Sequence, residues 1–195
     1  MRSSRQDTEK HREAIIDAAA RLAREKGLDA VSIPELMAEI GMTHGGFYKH
    51  FASKEALAPV AFERAFGAVD GLLEASATNH PNDPTGAQRE FLATYLSPAH
   101  RDNPGTGCAT SALAGDVARA DCGCVAQQAY VTGVEQMVSE LQAAQGDTSP
   151  DAHQQALVKL STMVGALLLS RATRGNAISD DLLTAALGVV SPKPE

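Results

Sequence analysis

The chain has no tryptophan, five phenylalanines, three tyrosines and three cysteines in 195 residues. With so few large rings, small and aliphatic side chains must fill the core, and the abundance of alanine, leucine and glycine predicts an all-helical chain with close helix contacts. Cys108, Cys122 and Cys124 are an odd set, which argues against a disulfide framework. Cys122 and Cys124 flank one glycine like half a metal site, yet neither a second cysteine pair nor a His-x-x-x-His accompanies them, so no metal is expected. No apolar run reaches the roughly 18 residues a membrane helix needs, and the first residues lack the apolar stretch of a signal peptide. A cytoplasmic protein with no membrane partner is expected. Gly-x-Ser-x-Gly elbows, phosphate loops and dinucleotide fingerprints are also missing, so no catalytic residue and no cofactor is expected.

Charge is unevenly distributed. The formal net charge is −7, but residues 1–55 hold nine Lys/Arg against nine Asp/Glu, so the whole acidic excess lies further along the chain. Between Ile40 and Lys54 there is no acid, while two lysines, two histidines, a tyrosine and the hydroxyls of Thr43 and Ser53 are present. Phosphate oxygens take such donors. Arg2, Arg5, Lys10, Lys49 and Lys54 give a neutral head a basic side if they face one way, with a binding strength that depends steeply on salt.

The same region carries strong local signals. Ser32 stands three residues before Glu35, the spacing of a capping box, and Pro34 falls in the first turn where its missing N–H costs little. Ile33, Leu36, Met37 and Ile40 recur at helical spacing, and Gly41 can take the left-handed conformation that ends a helix. Thr43 can cap a second short helix in which Phe47 and Phe51 point inward and His44, Gly45, Tyr48 and Lys49 outward. Gly45 and Gly46 cost about 1 kcal/mol each in a helix interior relative to alanine. Their presence suggests that something must approach closely.

The run GMTHGGFYKHFASKEAL at residues 41–57 resembles the recognition-helix signature of the TetR/AcrR family of bacterial transcriptional regulators. With the upstream helix ending at Gly27, the likeness covers residues 8–57. It implies an N-terminal three-helix helix-turn-helix DNA-binding domain, residues 1–52, and a C-terminal helical ligand-binding and dimerisation domain, residues 53–195, about nine helices in all. It also implies a homodimeric repressor of double-stranded operator DNA, released by a small-molecule effector. Ser32, Thr43, Tyr48, His50 and Lys54 then meet phosphates, and His44, Gly45 and Lys49 lie near base edges.

Beyond the head, residues 1–7 read as a flexible arm and helix 1 starts at Thr8, with Ile15, Ala18, Ala19 and Leu22 on one buried stripe. Ser53 can cap a long helix 4, and Pro59 within it predicts a bend near residues 55–59. Residues 80–86 read as a turn, 97–107 as a long polar loop, and helices follow at 86–96, 108–120, up to 144, 151–174 and 179–190, with breaks at 121–123 and 146–150.

The resemblance places a ligand cavity among the body helices. Phe62, Phe66, Phe91, Tyr95, Cys108, Tyr130, Met137 and Met163 are its candidate walls, with plain core packing as the alternative for each. A buried phenol needs a hydroxyl partner, which favours the tyrosines. The last two helices are apolar over most of their circumference, and by resemblance Leu160, Val164, Leu167, Leu168, Leu183 and Leu187 join a four-helix dimer interface. Cys108 follows a Pro-Gly-Thr-Gly turn at a helix start, where a thiolate is favoured. An electrophile- or redox-sensing cysteine, a pocket wall and simple packing remain open for it. An activator with the same head and a helical enzyme acting through Cys108 are the rival functions.

Overall fold

The computed structural model describes residues 5–27, 29–120, 123–144 and 149–192 and contains helices and no strand among them. Ten α-helices follow in order: α1 (Arg5–Lys26), α2 (Ile33–Glu39), α3 (His44–Phe47), α4 (Lys54–Asn79), α5 (Pro84–Tyr95), α6 (Pro98–Asp102), α7 (Ala109–Arg119), α8 (Val125–Ala143), α9 (Pro150–Ala172) and α10 (Ala177–Val190). The all-α expectation holds. The tenth helix comes from residues 97–107, which were expected to form a polar loop. Ser97 caps α6 by accepting from the His100 N–H at 3.1 Å, and a 3-10 turn, Pro104–Thr106, follows. Ser97, His100, Arg101, Asn103 and Thr106 all find side-chain hydrogen-bond partners, so the stretch is ordered in spite of its composition.

Local chemistry explains most boundaries. The Oγ atoms of Ser53 and Ser149 accept from the N–H groups of Ala56 and Ala152, each at 3.3 Å, and Asp83 accepts from that of Gly86 at 2.8 Å. Gly27 ends α1 with φ +84. α1 includes Arg5 and Asp7, so it begins before Thr8. α4 runs through Pro59 as one helix. Arg2, the Asp121-Cys122 break and most of the 146–150 break lie outside the described residues.

Three apolar clusters stack along the molecule, and two helices join them. The head cluster holds Ile15, Ile16 and Leu22 of α1, Leu36 and Met37 of α2, Phe47, Phe51 and Leu57. A junction cluster joins Ala20 and Ala23 of α1 to Phe62 and Ala65 of α4 and Leu113 of α7. The body cluster contains Val69, Phe91, Tyr95, Cys108, Met137, Leu141, Met163, Leu167 and Leu183. At a rise of about 1.5 Å per residue, α4 is about 39 Å long and contributes to all three. Arg24 of α1 reinforces the junction: its guanidinium donates to the Gly105 carbonyl at 2.9 Å and to the Ala65 carbonyl at 3.1 Å.

Candidate nucleic-acid interface

The turn between α2 and α3 is set by hydrogen bonds as well as by glycine. Ser32 Oγ accepts from the Glu35 N–H at 3.3 Å. Gly41 takes φ +67, and its N–H and that of Met42 reach back to the carbonyls of Ala38 (3.0 Å) and Met37 (2.8 Å), the paired closure of a helix ending on a left-handed glycine. α3 is only four residues long, as two adjacent glycines would dictate, but turn-type bonds continue the coil to Phe51. Thr43 stands in the capping position without a side-chain cap bond, so its hydroxyl is not engaged there.

The two glycines do different jobs. Gly46 is buried, and a Cβ there would touch the terminal methyls of Met37 and Met42 at 3.4 and 3.5 Å. It serves packing between the helices. Gly45 is exposed with open space in front of it, so it alone presents bare backbone outward. Phe47 is fully buried, while Tyr48 is 54% exposed, its ring held edge-on against Phe47 (5.4 Å) and His44 (5.6 Å). Ser32, Thr43, His44 and Lys49 are exposed as well.

Two expected contacts are modified. Lys54 donates its ammonium to the Asp29 carbonyl at 3.0 Å, so its charge sits at the end of the α1–α2 connection. His50 is half-buried against His11, and burial first, then the neighbouring His11, Lys49 and Arg12, lowers its pKa and disfavours its charged form. The remaining head cations are largely paired away from this face: Arg21 with Glu25 and Glu39, Lys26 with Glu35, and Arg64 with Glu13 and Asp17. Arg12 lies over the Phe51 ring, 5.2 Å from its centroid. Among the described residues of the head, Arg5, Lys10 and Lys49 are exposed with no ion-pair partner. The composition signalled a basic face, but not which cations the acids of α1 and α2 would neutralise.

These features have counterparts in known proteins. Residues 15–60 match the model of the family described as bacterial regulatory proteins, tetR family. Over these residues the chain is similar to the TetR family. The regulator AcrR of Shigella flexneri is 30% identical over 95 residues, 49% of this chain and 44% of its own length; the repressor BepR of Brucella suis is 31% identical over 83 residues, 42% and 40% of the two. The chain thus spans less than half the length of these curated relatives. Similarity of fold extends further: reduced NemR from E. coli superposes with a TM-score of 0.74 at 23% identity over 92% of this chain and 94% of that one, and a TetR regulator from Chloroflexus aurantiacus with 0.77 at 22% over 95% and 94%.

The structure divides the body residues singled out for a ligand cavity between two clusters. Phe62, Phe66 and Tyr130 belong to the junction, and Phe91, Tyr95, Cys108, Met137 and Met163 to the body core. Tyr130 donates to the Thr110 carbonyl at 2.9 Å, and burial pushes its pKa to about 12. The Tyr95 hydroxyl is enclosed with no nitrogen or oxygen partner and lies beside the Cys108 thiol. Of the eight, Phe91 also lines an open cavity between α4, α5 and α8. Sequence reasoning missed His100 and Arg171, which organise the Cys108 corner. His100 Nε2 accepts from the Cys108 N–H at 3.0 Å while Nδ1 pairs with the Tyr95 carbonyl at 2.6 Å, an arrangement that requires the neutral Nδ1–H tautomer. Burial lowers the His100 pKa accordingly. The Arg171 guanidinium donates to the carbonyls of Arg101 and His100, each at 3.2 Å, and to Ser111 Oγ at 2.9 Å.

The six leucine and valine positions expected at a subunit interface also separate. Leu160, Leu167 and Leu183 are at most 5% exposed and fill this chain's own core; Val164 and Leu187 are half-buried; Leu168 is 46% exposed. The exposed apolar surface of α9 and α10 is carried by Leu157, Val158, Leu168, Leu169, Ile178 and Val189. On helices apolar nearly all round, periodicity offers no means of telling the inner stripe from the outer one.

Proposed function

We propose that the protein is a homodimeric transcriptional repressor that binds double-stranded operator DNA through α3 and leaves it when a small-molecule effector binds the body. The observation that carries this reading is the outer face of α3 and of the turn that continues it: Gly45, Tyr48 and Lys49 exposed, no acid among them, seated by fully buried Phe47. The domain division at residues 52 and 53 accompanies it, with α4 beginning the body. Two copies of α3 would enter successive major grooves about 34–36 Å apart or a multiple of that spacing. The exposed apolar residues of α9 and α10 support pairing of two chains, because a patch of this kind is costly to leave in water. An effector that binds one arrangement of the heads better than the other shifts the population between them, and α4 is the element that joins body to head.

The test is binding of the purified protein to a duplex selected from a random-sequence pool, with sedimentation to establish a dimer of the 20.4 kDa chain. Lys49→Ala is expected to cost about 1–3 kcal/mol on the selected duplex and much less on a scrambled one. A stable monomer, or no duplex selected from the pool, would refute the reading, and equal loss on both duplexes would assign Lys49 to a phosphate.

A second reading keeps the fold and the head and makes Cys108 the sensor. It is favoured by the position of that thiol at the start of α7, fully buried and close enough to Arg24 and Arg171 for their charges to act on it, the guanidinium hydrogen bonds of both going to carbonyls and a hydroxyl with no carboxylate among them. Here Cys108→Ser is expected to keep operator affinity and abolish release by quinones or aldehydes. Unchanged release rejects this reading and leaves the first intact.

A further inference from the structure

One cavity of the body, about 500 Å³, lies between the C-terminal half of α4, the start of α5 and the end of α8. That volume suits a small organic molecule. Its walls combine two chemistries. Leu73, Ala77, Phe91 and Leu141 make it apolar, and Asp70, Glu74 and Glu140 bring three carboxyl groups to it. Asp70 and Glu140 converge on one donor: Gln136 Nε2 reaches Asp70 Oδ2 at 3.3 Å and Glu140 Oε1 at 2.9 Å.

No lysine or arginine lines this cavity, and the one imidazole there, His80, is paired with Glu90 at 2.7 Å. The cavity also encloses polar atoms with nothing to bond. Glu140 Oε2 is buried without a partner, and so is the Nε2 of Gln88 on the facing helix α5. A buried acceptor and a buried donor left open are each destabilising, and a ligand with the complementary groups relieves both. Burial is the largest cause raising the pKa of both Asp70 and Glu140; Glu74 raises both further, and Asp70 raises that of Glu140, while the Glu140 carboxyl bonding to Asp70 draws that of Asp70 back down. Among the described residues no three acidic, histidine or cysteine side chains are disposed to hold a metal ion, so the missing positive charge is not set up for a metal.

We propose that this cavity binds a protonated, largely apolar organic amine, its ammonium group donating to Glu140 Oε2 beside Asp70 and its hydrocarbon body lying against Leu73, Ala77, Phe91 and Leu141. The open Oε2 calls for an N–H donor, so a primary or secondary ammonium fits better than a quaternary one. Gln88 adds a preference for ligands with an ether or carbonyl oxygen within reach of the charge. This identifies the chemical class of effector for the repressor reading and rests on that reading only for its consequence at the operator, since α4 supplies Asp70, Leu73 and Ala77 and also reaches the head.

The probe is 1-naphthalenemethylamine, with 1-naphthalenemethanol and 1-naphthoate as neutral and anionic counterparts, titrated calorimetrically into the full chain without DNA. The amine is expected to bind at least tenfold more tightly than the alcohol, and the carboxylate not detectably. Glu140→Gln and Asp70→Asn should each weaken the amine at least tenfold and leave the alcohol unchanged, with helical circular dichroism retained. Equal binding of amine and alcohol by the unsubstituted chain overturns the proposal, whether or not either variant folds, and so does amine affinity indifferent to both substitutions. Amine binding that leaves DNA affinity unchanged supports the site and removes its link to the operator. Failure of the head to bind any duplex counts against the repressor reading alone.

Discussion

Phe47→Ala is expected to abolish the folded head. Phe47 is fully buried, its ring centroid lies 5.8 Å from that of Phe51, and it shares a cluster with Met37, Leu36 and Ile15, so its truncation leaves a cavity at the centre of the head core. Truncating a buried phenylalanine costs about 3–5 kcal/mol, and α3 is too short to form without that anchor. Since a whole domain is stable by about 5–15 kcal/mol, the loss removes much of what holds three short helices together. Chemical denaturation should show the head melting separately at low denaturant, with operator binding gone. A loss below about 1 kcal/mol would mean that Phe47 does not anchor α3. Tyr48→Ala, next along the chain but exposed, is the control: little change in stability is expected there.

Arg24→Met is expected to loosen the junction by about 2–4 kcal/mol while preserving the bulk of the side chain. Its guanidinium supplies the donors for the Gly105 and Ala65 carbonyls, and hydrogen bonds from a charged donor contribute about 1.5–3 kcal/mol each before the penalty for leaving an acceptor unpaired. Arg24 thereby ties α1 of the head to α4 and to the 3-10 turn beyond α6. Its loss should lower the melting temperature and, because head and body then move more independently, reduce the effect of an effector on DNA affinity more than it reduces DNA affinity itself. A melting temperature within 1 °C of the unsubstituted chain would show that these bonds do not hold the junction.

The head was legible because its instructions are local. Ser32, Gly41 and Ser53 act within four residues of themselves, and each appears in the structure in the role its chemistry implies. Thr43 is the partial exception: the helix starts after it, but its hydroxyl makes no cap bond. The reading of residues 97–107 failed for the converse reason. Ser97, Asn103 and Thr106 bond within the segment or just before it, but Arg101 pairs with Asp180 and donates to Ser179 Oγ at 2.8 Å, and no short-range pattern encodes partners nearly 80 positions away. Gly45 and Gly46 illustrate a finer limit. Adjacent and identical in the sequence, they received one explanation, yet one faces outward and the other touches Met37 and Met42.

The sequence by itself determined an all-helical chain, the helix-turn-helix with its caps, the acid-free face between Ile40 and Lys54 and the family likeness of the head. All of these are written in residues near one another along the chain. Only the tertiary structure decided which leucines of α9 and α10 face inward, that the proposed cavity residues divide between two cores, and that Asp70 and Glu140 meet across Gln136 beside an apolar cavity. Those outcomes depend on how helices rotate and pack against one another. Packing joins side chains far apart in sequence, and an amphipathic or wholly apolar pattern on one helix does not contain the position of its neighbour.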